Sequence, residues 1–195
     1  LIYAANTVKA HGGSVAQMRF YGQEVNQTST AIGRMNLFIH QVEDAKILRE
    51  DTLNKPLFVD GRGKLDQFDV VLANPPFSLK DWGADKWATD PHRRAIGGVP
   101  PKGNADFAWV QHMIASMKPE TGRVGVVMPH GVLFRGSSEA AIRKYLIEND
   151  MLEAVIGLAP NLFYGTTIPA CLLFFRATKD KARKKHVLFV DGSKR

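Results

Sequence analysis

Short apolar runs alternate with stretches of helical periodicity along this chain, and that alternation most narrowly restricts its fold. The predicted order, α-β-α-β-β-α-β-α-β-β-β, is typical of an α/β domain with a mostly parallel sheet. A length of 195 residues suggests one such domain with a proper core. In the second helix Ile32, Met35 and Ile39 share one face, which indicates an amphipathic helix. We predict helices over residues 2–10, 28–40, 106–117 and 139–149, and strands over 18–22, 45–48, 68–73, 123–128, 152–158, 170–175 and 186–190.

The carboxyl-terminal part of the chain combines two apolar runs with a basic stretch. The strands predicted over Ala170–Phe175 and His186–Val190 are close enough in sequence to pair as an antiparallel hairpin. The run Lys179–His186 (KDKARKKH) is explained equally well by a solvated linker and by a nucleic-acid contact. We therefore interpret residues 177–195 as a last strand with a basic linker. The net charge of +7 and the pI near 9.6 agree with a polyanionic partner.

The composition argues against several classes of protein. Cys171 is the only cysteine, so an internal disulfide and a cysteine-based zinc cluster are excluded. Its apolar neighbours predict a small buried side chain rather than a nucleophile. No apolar run approaches the roughly 20 residues of a membrane helix, and Leu1–Ala5 lacks the basic lead of a signal peptide. We expect a cytoplasmic protein with no membrane partner and no metal.

The run Asn74-Pro75-Pro76-Phe77 is the most specific feature of the chain, and it ends the strand over residues 68–73. An exocyclic amino group on a nucleobase is a poor nucleophile, because its lone pair is delocalised into the ring. The Asn74 amide oxygen and the Pro75 carbonyl are two acceptors suited to hold such a nitrogen. Phe77 offers a flat face to the base, a stack worth about 1–3 kcal/mol. The alternative is a proline-rich turn beside a core phenylalanine.

Two carboxylates lie past predicted strands. Glu24 follows the first strand and Asp51 follows the next. In nucleoside-binding parallel sheets, ligands bind beyond the carboxyl ends of the strands, where an acidic residue accepts hydrogen bonds from ribose hydroxyls. Glu24 has the residue type and position for a ribose, and Asp51 could accept from an adenine amino group. Either could instead be a solvated loop carboxylate.

The segment Phe77–Asn104 is predicted to be a long loop, because glycines and prolines interrupt it repeatedly. A structureless stretch of this length in a compact domain is usually functional or mobile. Trp82 and Trp87 lie within it, and they either face a nucleic acid or cover the core.

A succession of motifs runs from about residue 2 to residue 176. The motifs are Gly22-Gln23-Glu24, Asn36-Leu37, Asp51-Thr52-Leu53, Asn74–Phe77, Ala105–Trp109, Gly122-Arg123-Val124, Met128–Arg135, Ile142-Arg143 and Leu162–Pro169. This succession resembles the methylation subunit of type I restriction-modification systems, a family of N6-adenine DNA methyltransferases. Asn-Pro-Pro-Phe also occurs in other amino-methylating enzymes, whereas the blocks over 129–135 and 163–169 are much more particular to this family.

The resemblance implies a Rossmann-like class I methyltransferase sheet that binds S-adenosyl-L-methionine. By matching motif position, Glu24 would bind the ribose hydroxyls and Asp51 the adenine of the cofactor. Asn74 is also expected at the cofactor site, and Asp106 would help to line its methionine side.

The resemblance further implies methylation of adenine N6 in DNA, with the target read by a separate specificity subunit. A restriction subunit would complete the complex. Asn74, Pro75 and Phe77 would hold the target base as the catalytic turn, and Phe163 would supply the opposite stacking face. Arg135 is expected either to shape a turn or to contact a phosphate.

One departure from the family pattern concerns the start of the chain. The family's first strand and glycine-rich loop are expected immediately before Leu1, and Leu1–Ala10 resembles the helix that follows that loop. We therefore interpret residues 1–195 as a partial methyltransferase catalytic domain. Two alternatives stay open: an amino-methyltransferase acting on ribosomal RNA or on a protein glutamine, and a non-catalytic DNA-binding subunit.

Overall fold

The computed structural model describes residues 1–42, 44–163 and 167–193, and the chain forms two compact units, Leu1–Val59 and Asp60–Arg195. Each unit has its own sheet and its own apolar core. Among the described residues no helix has the length and apolar character needed to cross a membrane. The division into a partial catalytic domain and a basic linker stays a prediction.

The first unit is a helix followed by a β-α-β arrangement. Its elements are α1 (Ile2–Ala10), β1 (Phe20–Glu24), α2 (Gln27–Ile39) and β2 (Ala45–Arg49). The two strands pair in parallel, so their carboxyl ends lie side by side. The core of this unit is formed by Ala5 of α1, Phe20 of β1, Leu37 of α2 and Val42 from the connection between α2 and β2.

Helix α2 packs through a different face from the one its apolar pattern indicates. Its buried residues are Thr30 and Leu37. Ile32, Met35 and Ile39 are instead exposed by 62%, 65% and 66%. The helix carries apolar residues on both sides, so periodicity alone does not tell which side the sheet covers.

The second unit contains a five-stranded mixed sheet with three helices in its connections. The elements in sequence are β3 (Val70–Ala73), α3 (Ala84–Trp87), α4 (Asp106–Ala115), β4 (Arg123–Pro129), α5 (Ser137–Glu148), β5 (Leu152–Leu158), β6 (Ala170–Arg176) and β7 (Leu188–Gly192). The strand order is β3-β4-β6-β5-β7. β3 is parallel to β4 and β5 is parallel to β7, whereas β6 runs antiparallel to both of its neighbours.

The predicted antiparallel hairpin between Ala170–Phe175 and His186–Val190 is wrong. β6 lies in the middle of the sheet, paired with β4 on one edge and β5 on the other. β7 pairs in parallel with β5 instead. The physical reason lies in β6 itself: a continuous apolar run is stabilised by burial on both faces, which a central strand provides. With both edges of β6 taken, the chain crosses to the outer edge of β5.

The core of the second unit lies between this sheet and the helices α4 and α5. It is built from Val124, Val126 and Met128 of β4, Leu173 and Phe175 of β6, Val110 and Ile114 of α4, and Ile142 and Leu146 of α5. Cys171 is fully buried in β6, and burial raises the pKa of its thiol to about 11. The prediction that Cys171 is a small buried hydrophobe is confirmed.

The segment between β3 and α4 is mostly irregular, as predicted, but it is folded onto its own aromatic residues. Trp82 and Trp87 are each only 2% exposed, and their rings meet edge to face at 5.1 Å between centroids. Gln111 of α4 ties the segment down: it accepts from the Gly97 amide at 3.0 Å and donates to the Gly98 carbonyl at 3.1 Å. The two tryptophans are therefore buried against each other and are not presented to a nucleic acid.

Candidate active site

The turn after β3 is set by its two prolines. β3 pairs with β4 up to Ala73, and the chain leaves the sheet at Asn74. Pro75 and Pro76 have no N–H to donate and a fixed φ, so the strand cannot continue. Asn74 is exposed, Pro75 is buried and Phe77 is half-buried. The Asn74 amide is therefore accessible at the carboxyl end of a parallel strand, where such sheets bind their ligands.

Phe77 and Phe163 were predicted to flank a target base, and their rings are in contact. Their centroids lie 6.2 Å apart with an interplanar angle of 80°. In an edge-to-face pair the edge of one ring covers the face of the other. A base held between the two faces therefore requires one ring to turn. Residues 164–166 of the same predicted motif lie outside the described residues.

Asp106 begins α4 and is fully buried. Its carboxylate accepts from the Ser78 amide at 2.7 Å and from the Arg135 guanidinium at 2.5 Å. Arg135 also donates to both oxygens of buried Glu139, and these two hydrogen-bonded carboxylates, Glu139 foremost, raise the pKa of Arg135. Arg135 was expected either to shape a turn or to contact a phosphate. In the structure its guanidinium is bound by two carboxylates. Contact with a phosphate stays a prediction. Glu139 was not identified from the sequence as a partner of Arg135. The signal was its spacing of four residues from Arg135, which is common in ion pairs on helices.

Glu24 lines an open cavity of about 310 Å³ in the first unit. The cavity wall combines the polar Gln23, Glu24 and Asn36 with the apolar Leu37 and Ile47. One Glu24 oxygen accepts from the Asn26 amide at 2.8 Å, which fixes the carboxylate at the end of β1. Mixed apolar and polar walls of this kind suit a small organic ligand. Asn36 was seen in the sequence only as part of a motif, without a role.

Asp51 follows β2 and caps its own turn. One carboxylate oxygen accepts from the Leu53 and Asn54 amides at 2.9 and 3.0 Å, and the other accepts from the Asn54 side chain at 2.8 Å. Gln23 holds the continuation of this loop against β1, donating to the Lys55 carbonyl at 2.9 Å and accepting from the Leu57 amide at 2.8 Å. Contact of Asp51 with a cofactor adenine stays a prediction.

The basic run Lys179–His186 is bound to the second unit at its first residue, and it lies away from the Asn-Pro-Pro-Phe turn. The Lys179 ammonium is bound to Asp150 at 2.6 Å and to the His186 carbonyl at 2.8 Å. The run follows the end of β6, which pairs with the beginning of β4 at Arg123. Asn74 follows the carboxyl end of β3, which is parallel to β4. The basic run therefore leaves the sheet beside the first residues of β3 and β4, whereas the turn follows the last residue of β3.

The family model described as N-6 DNA methylase matches residues 1–195. The HindI type I restriction enzyme methylase subunit of Haemophilus influenzae is 36% identical over 187 residues, which are 95% of this chain and 40% of that protein. The MjaVII type I restriction enzyme methylase subunit of Methanocaldococcus jannaschii is 35% identical over 201 residues, covering 99% of this chain and 33% of that protein. The chain thus spans about a third to two-fifths of the length of these curated relatives.

Solved structures show the same relationship. The methyltransferase subunit of a type I restriction-modification system from Streptococcus thermophilus has a TM-score of 0.81 at 35% identity, covering 90% of this chain and 37% of that one. A class I S-adenosylmethionine-dependent methyltransferase from Listeria monocytogenes has a TM-score of 0.73 at 18% identity, covering 97% and 53%. The second likeness shows the fold alone, that of the class I methyltransferases. Because the family model matches the whole chain, the chain belongs to the N-6 DNA methylase family.

Proposed function

We propose that this chain forms part of the catalytic domain of an enzyme that methylates N6 of adenine in DNA, with S-adenosyl-L-methionine as methyl donor. The observation that carries the proposal is the Asn74–Phe77 turn, which leaves an exposed amide at the carboxyl end of β3 and brings Phe77 against Phe163. The relatives named above as type I restriction enzyme methylase subunits support the same reaction.

The chemistry assigned to the turn follows from the electronic structure of adenine. The base must leave the duplex stack for its N6 to be reached, at a cost of a few kcal/mol. The Asn74 side-chain oxygen and the Pro75 carbonyl accept the two hydrogens on N6, which favours a tetrahedral nitrogen with a localised lone pair. Phe77 holds the ring plane, and alignment supplies much of the rate. Cys171 takes no part, because its thiol is buried and its pKa is raised.

The first unit fits the nucleoside part of the donor. Glu24 presents a carboxylate to ribose hydroxyls, Asn36 adds an amide, and Leu37 and Ile47 offer apolar walls. When bound, the donor supplies an electrophilic methyl group on a sulfonium. Asp51 is assigned to the adenine of the donor by its position past β2, with its carboxylate already fixed by the turn it caps.

The partners proposed are DNA and the specificity and restriction subunits of a type I complex, working in the cytoplasm. The support comes from the names of the relatives, which are subunits of such enzymes. The specificity subunit would select the DNA target, and this chain would supply the reacting turn.

The proposal is tested with radiolabelled S-adenosyl-L-methionine and the full-length subunit with its partner, offering DNA, ribosomal RNA and protein in parallel. We expect label in DNA, recovered as N6-methyladenine, and its loss in Asn74→Ala with cofactor affinity kept. Asn149→Ala is the matched control: Asn149 is also exposed, and it ends α5 just before the start of β5, the opposite sheet edge. Label in RNA or protein, or normal turnover by Asn74→Ala, would contradict the assignment.

A further inference from the structure

We propose that Asp106, held by Arg135, is a positioning residue for the Asn74–Phe77 turn. The structural part of this inference stands on the hydrogen bonds of the second unit. Its consequence for methyl transfer rests on the proposed function.

The connection from Asp106 to the turn passes through Ser78. Ser78 directly follows Phe77 and has a φ of 52°, in the left-handed region that side-chain-bearing residues rarely adopt. Its amide donates to the buried Asp106 carboxylate at 2.7 Å. That hydrogen bond stabilises the unusual conformation and so fixes the direction in which the Phe77 side chain leaves the backbone.

Asp106 is itself held at its backbone and at its side chain. Its backbone amide donates to the Asn104 side-chain oxygen at 2.9 Å, and its second carboxylate oxygen accepts from Arg135 at 2.5 Å. The Arg135 backbone is fixed in turn, because its carbonyl accepts from Arg143 at 2.7 Å. A side chain at Gly131 would overlap the Arg135 guanidinium, so only glycine leaves room for this arrangement.

The charges of the cluster are balanced by the ends of two helices. Asp106 lies in the first turn of α4 and Glu139 in the first turn of α5. Each helix N-terminus carries about half a positive charge, which compensates the carboxylates that one guanidinium does not neutralise. Removing either partner of such a buried pair leaves an uncompensated charge, so the geometry at Ser78 depends on Arg135 as well as on Asp106.

The test uses the full-length protein without DNA and measures hydrogen exchange at the amides of Phe77, Ser78 and Leu79. We expect Asp106→Ala to accelerate exchange at Ser78 by about tenfold or more, because the acceptor of its amide is gone. Asp106→Asn keeps a side-chain oxygen in place and should accelerate it less. Unchanged exchange in Asp106→Ala would overturn the inference.

Asp90→Asn is the matched control. Asp90 pairs with Arg94 at 2.9 Å in the same unit, and the two side chains are 4% and 3% exposed, so a similarly buried ion pair is weakened. Exchange at Ser78 should stay at the wild-type rate in this variant. An equal acceleration in Asp90→Asn would mean general loosening of the unit, which would also overturn the inference.

Single-turnover methyl transfer measures the consequence for the reaction. We expect Asp106→Ala to slow transfer by about tenfold at saturating cofactor, and to slow it by less than about twofold in a Phe77→Ala background, because Asp106 acts through Phe77. A full tenfold effect in both backgrounds would refute positioning through Phe77. A wild-type enzyme that methylates no DNA would refute the proposed function, and the exchange rates would still decide the role of Asp106.

Discussion

At the scale of single residues, the Glu24 carboxylate is held at the cavity of the first unit by the Asn26 amide. We predict that Glu24→Gln weakens binding of S-adenosyl-L-methionine by about 10- to 100-fold, since hydrogen bonds to a charged group contribute about 1.5–3 kcal/mol. Calorimetric titration of the full-length subunit measures the change. Asp44→Asn is the control, because Asp44 precedes β2 at the opposite edge of the sheet. Equal affinity in Glu24→Gln and wild type would show that the ribose assignment is wrong.

Phe77 differs from Glu24 in that its proposed role depends on a flat face rather than a charge. Phe77→Tyr and Phe77→Trp should therefore keep most of the methyl-transfer rate. Phe77→Leu, which keeps bulk but not the π face, should lose about 1–3 kcal/mol of target-base binding. The measurement is the affinity for DNA carrying an unpaired target adenine. A leucine variant that binds as well as the tyrosine variant would contradict stacking.

At the scale of elements, β7 reaches the edge of β5 through a connection anchored by Lys179. The Lys179 side chain is 1% exposed, and hydrogen bonding to it, the largest effect, lowers the pKa of Asp150. We predict that Lys179→Met destabilises the unit by about 1–3 kcal/mol and accelerates amide exchange in β7, because a buried hydrogen bond to a charged group is lost. Lys181→Met is the exposed control and should leave both unchanged. Normal exchange in β7 of Lys179→Met would exclude this anchor.

The position of each predicted helix and strand agrees with the structure to within two residues, because glycines, prolines and periodicity are local signals. The order of the strands in the sheet could not be predicted from such local signals. The apolar run Ala170–Phe175 is typical of a central strand, but it does not indicate that β4 and β5 are the strands on either side of it. The sequence of α2 likewise does not indicate which side of the helix packs against the sheet.

One part of the candidate site could be predicted from the sequence, and another part could be found only in the structure. Asn74, Pro75 and Phe77 lie within four consecutive residues, so their chemistry could be predicted from the sequence. The contact between Ser78 and Asp106 joins residues 28 positions apart and depends on the left-handed backbone of Ser78. A serine carries no sequence signal for that conformation, which is why the link emerged only from the structure.

At the scale of the whole molecule, the net charge of +7 is a weak guide to the surface that would contact DNA under the proposed function. The most basic run is folded onto the second unit through Lys179, and Arg183 is paired with Glu153 at 2.9 Å. This run also leaves the sheet at the edge opposite Asn74. Formal charge therefore overstates the charge available to phosphates near the proposed reacting turn.

The acid stability of the molecule depends on a half-buried histidine outside the proposed reacting turn. His112 lies in α4, and its Nδ1 accepts a hydrogen bond from the Arg94 guanidinium at 3.2 Å. Burial, the largest effect, and the positive charge of Arg94 lower the pKa of His112 from 6.5 to about 3. At a pH between these two pKa values, the unfolded chain binds a proton at His112 and the folded chain does not. The stability associated with neutral His112 is thus fully present above pH 6.5 and is lost progressively as the pH falls towards 3.

We predict that His112→Gln reduces the loss of unfolding free energy between pH 6.5 and pH 5 by up to about 1.4 kcal/mol per pH unit, the slope of one proton. Glutamine offers Arg94 a neutral acceptor and binds no proton in this range. Urea denaturation at a series of pH values measures the slope, and the exposed His11→Gln is the control with the wild-type slope expected. Because Asp90, the carboxylate bound to Arg94, has a pKa lowered below 3.8, it does not titrate in this window. Identical slopes for His112→Gln and wild type would mean that His112 is protonated in the folded protein, and the proposed burial of a neutral imidazole would be wrong.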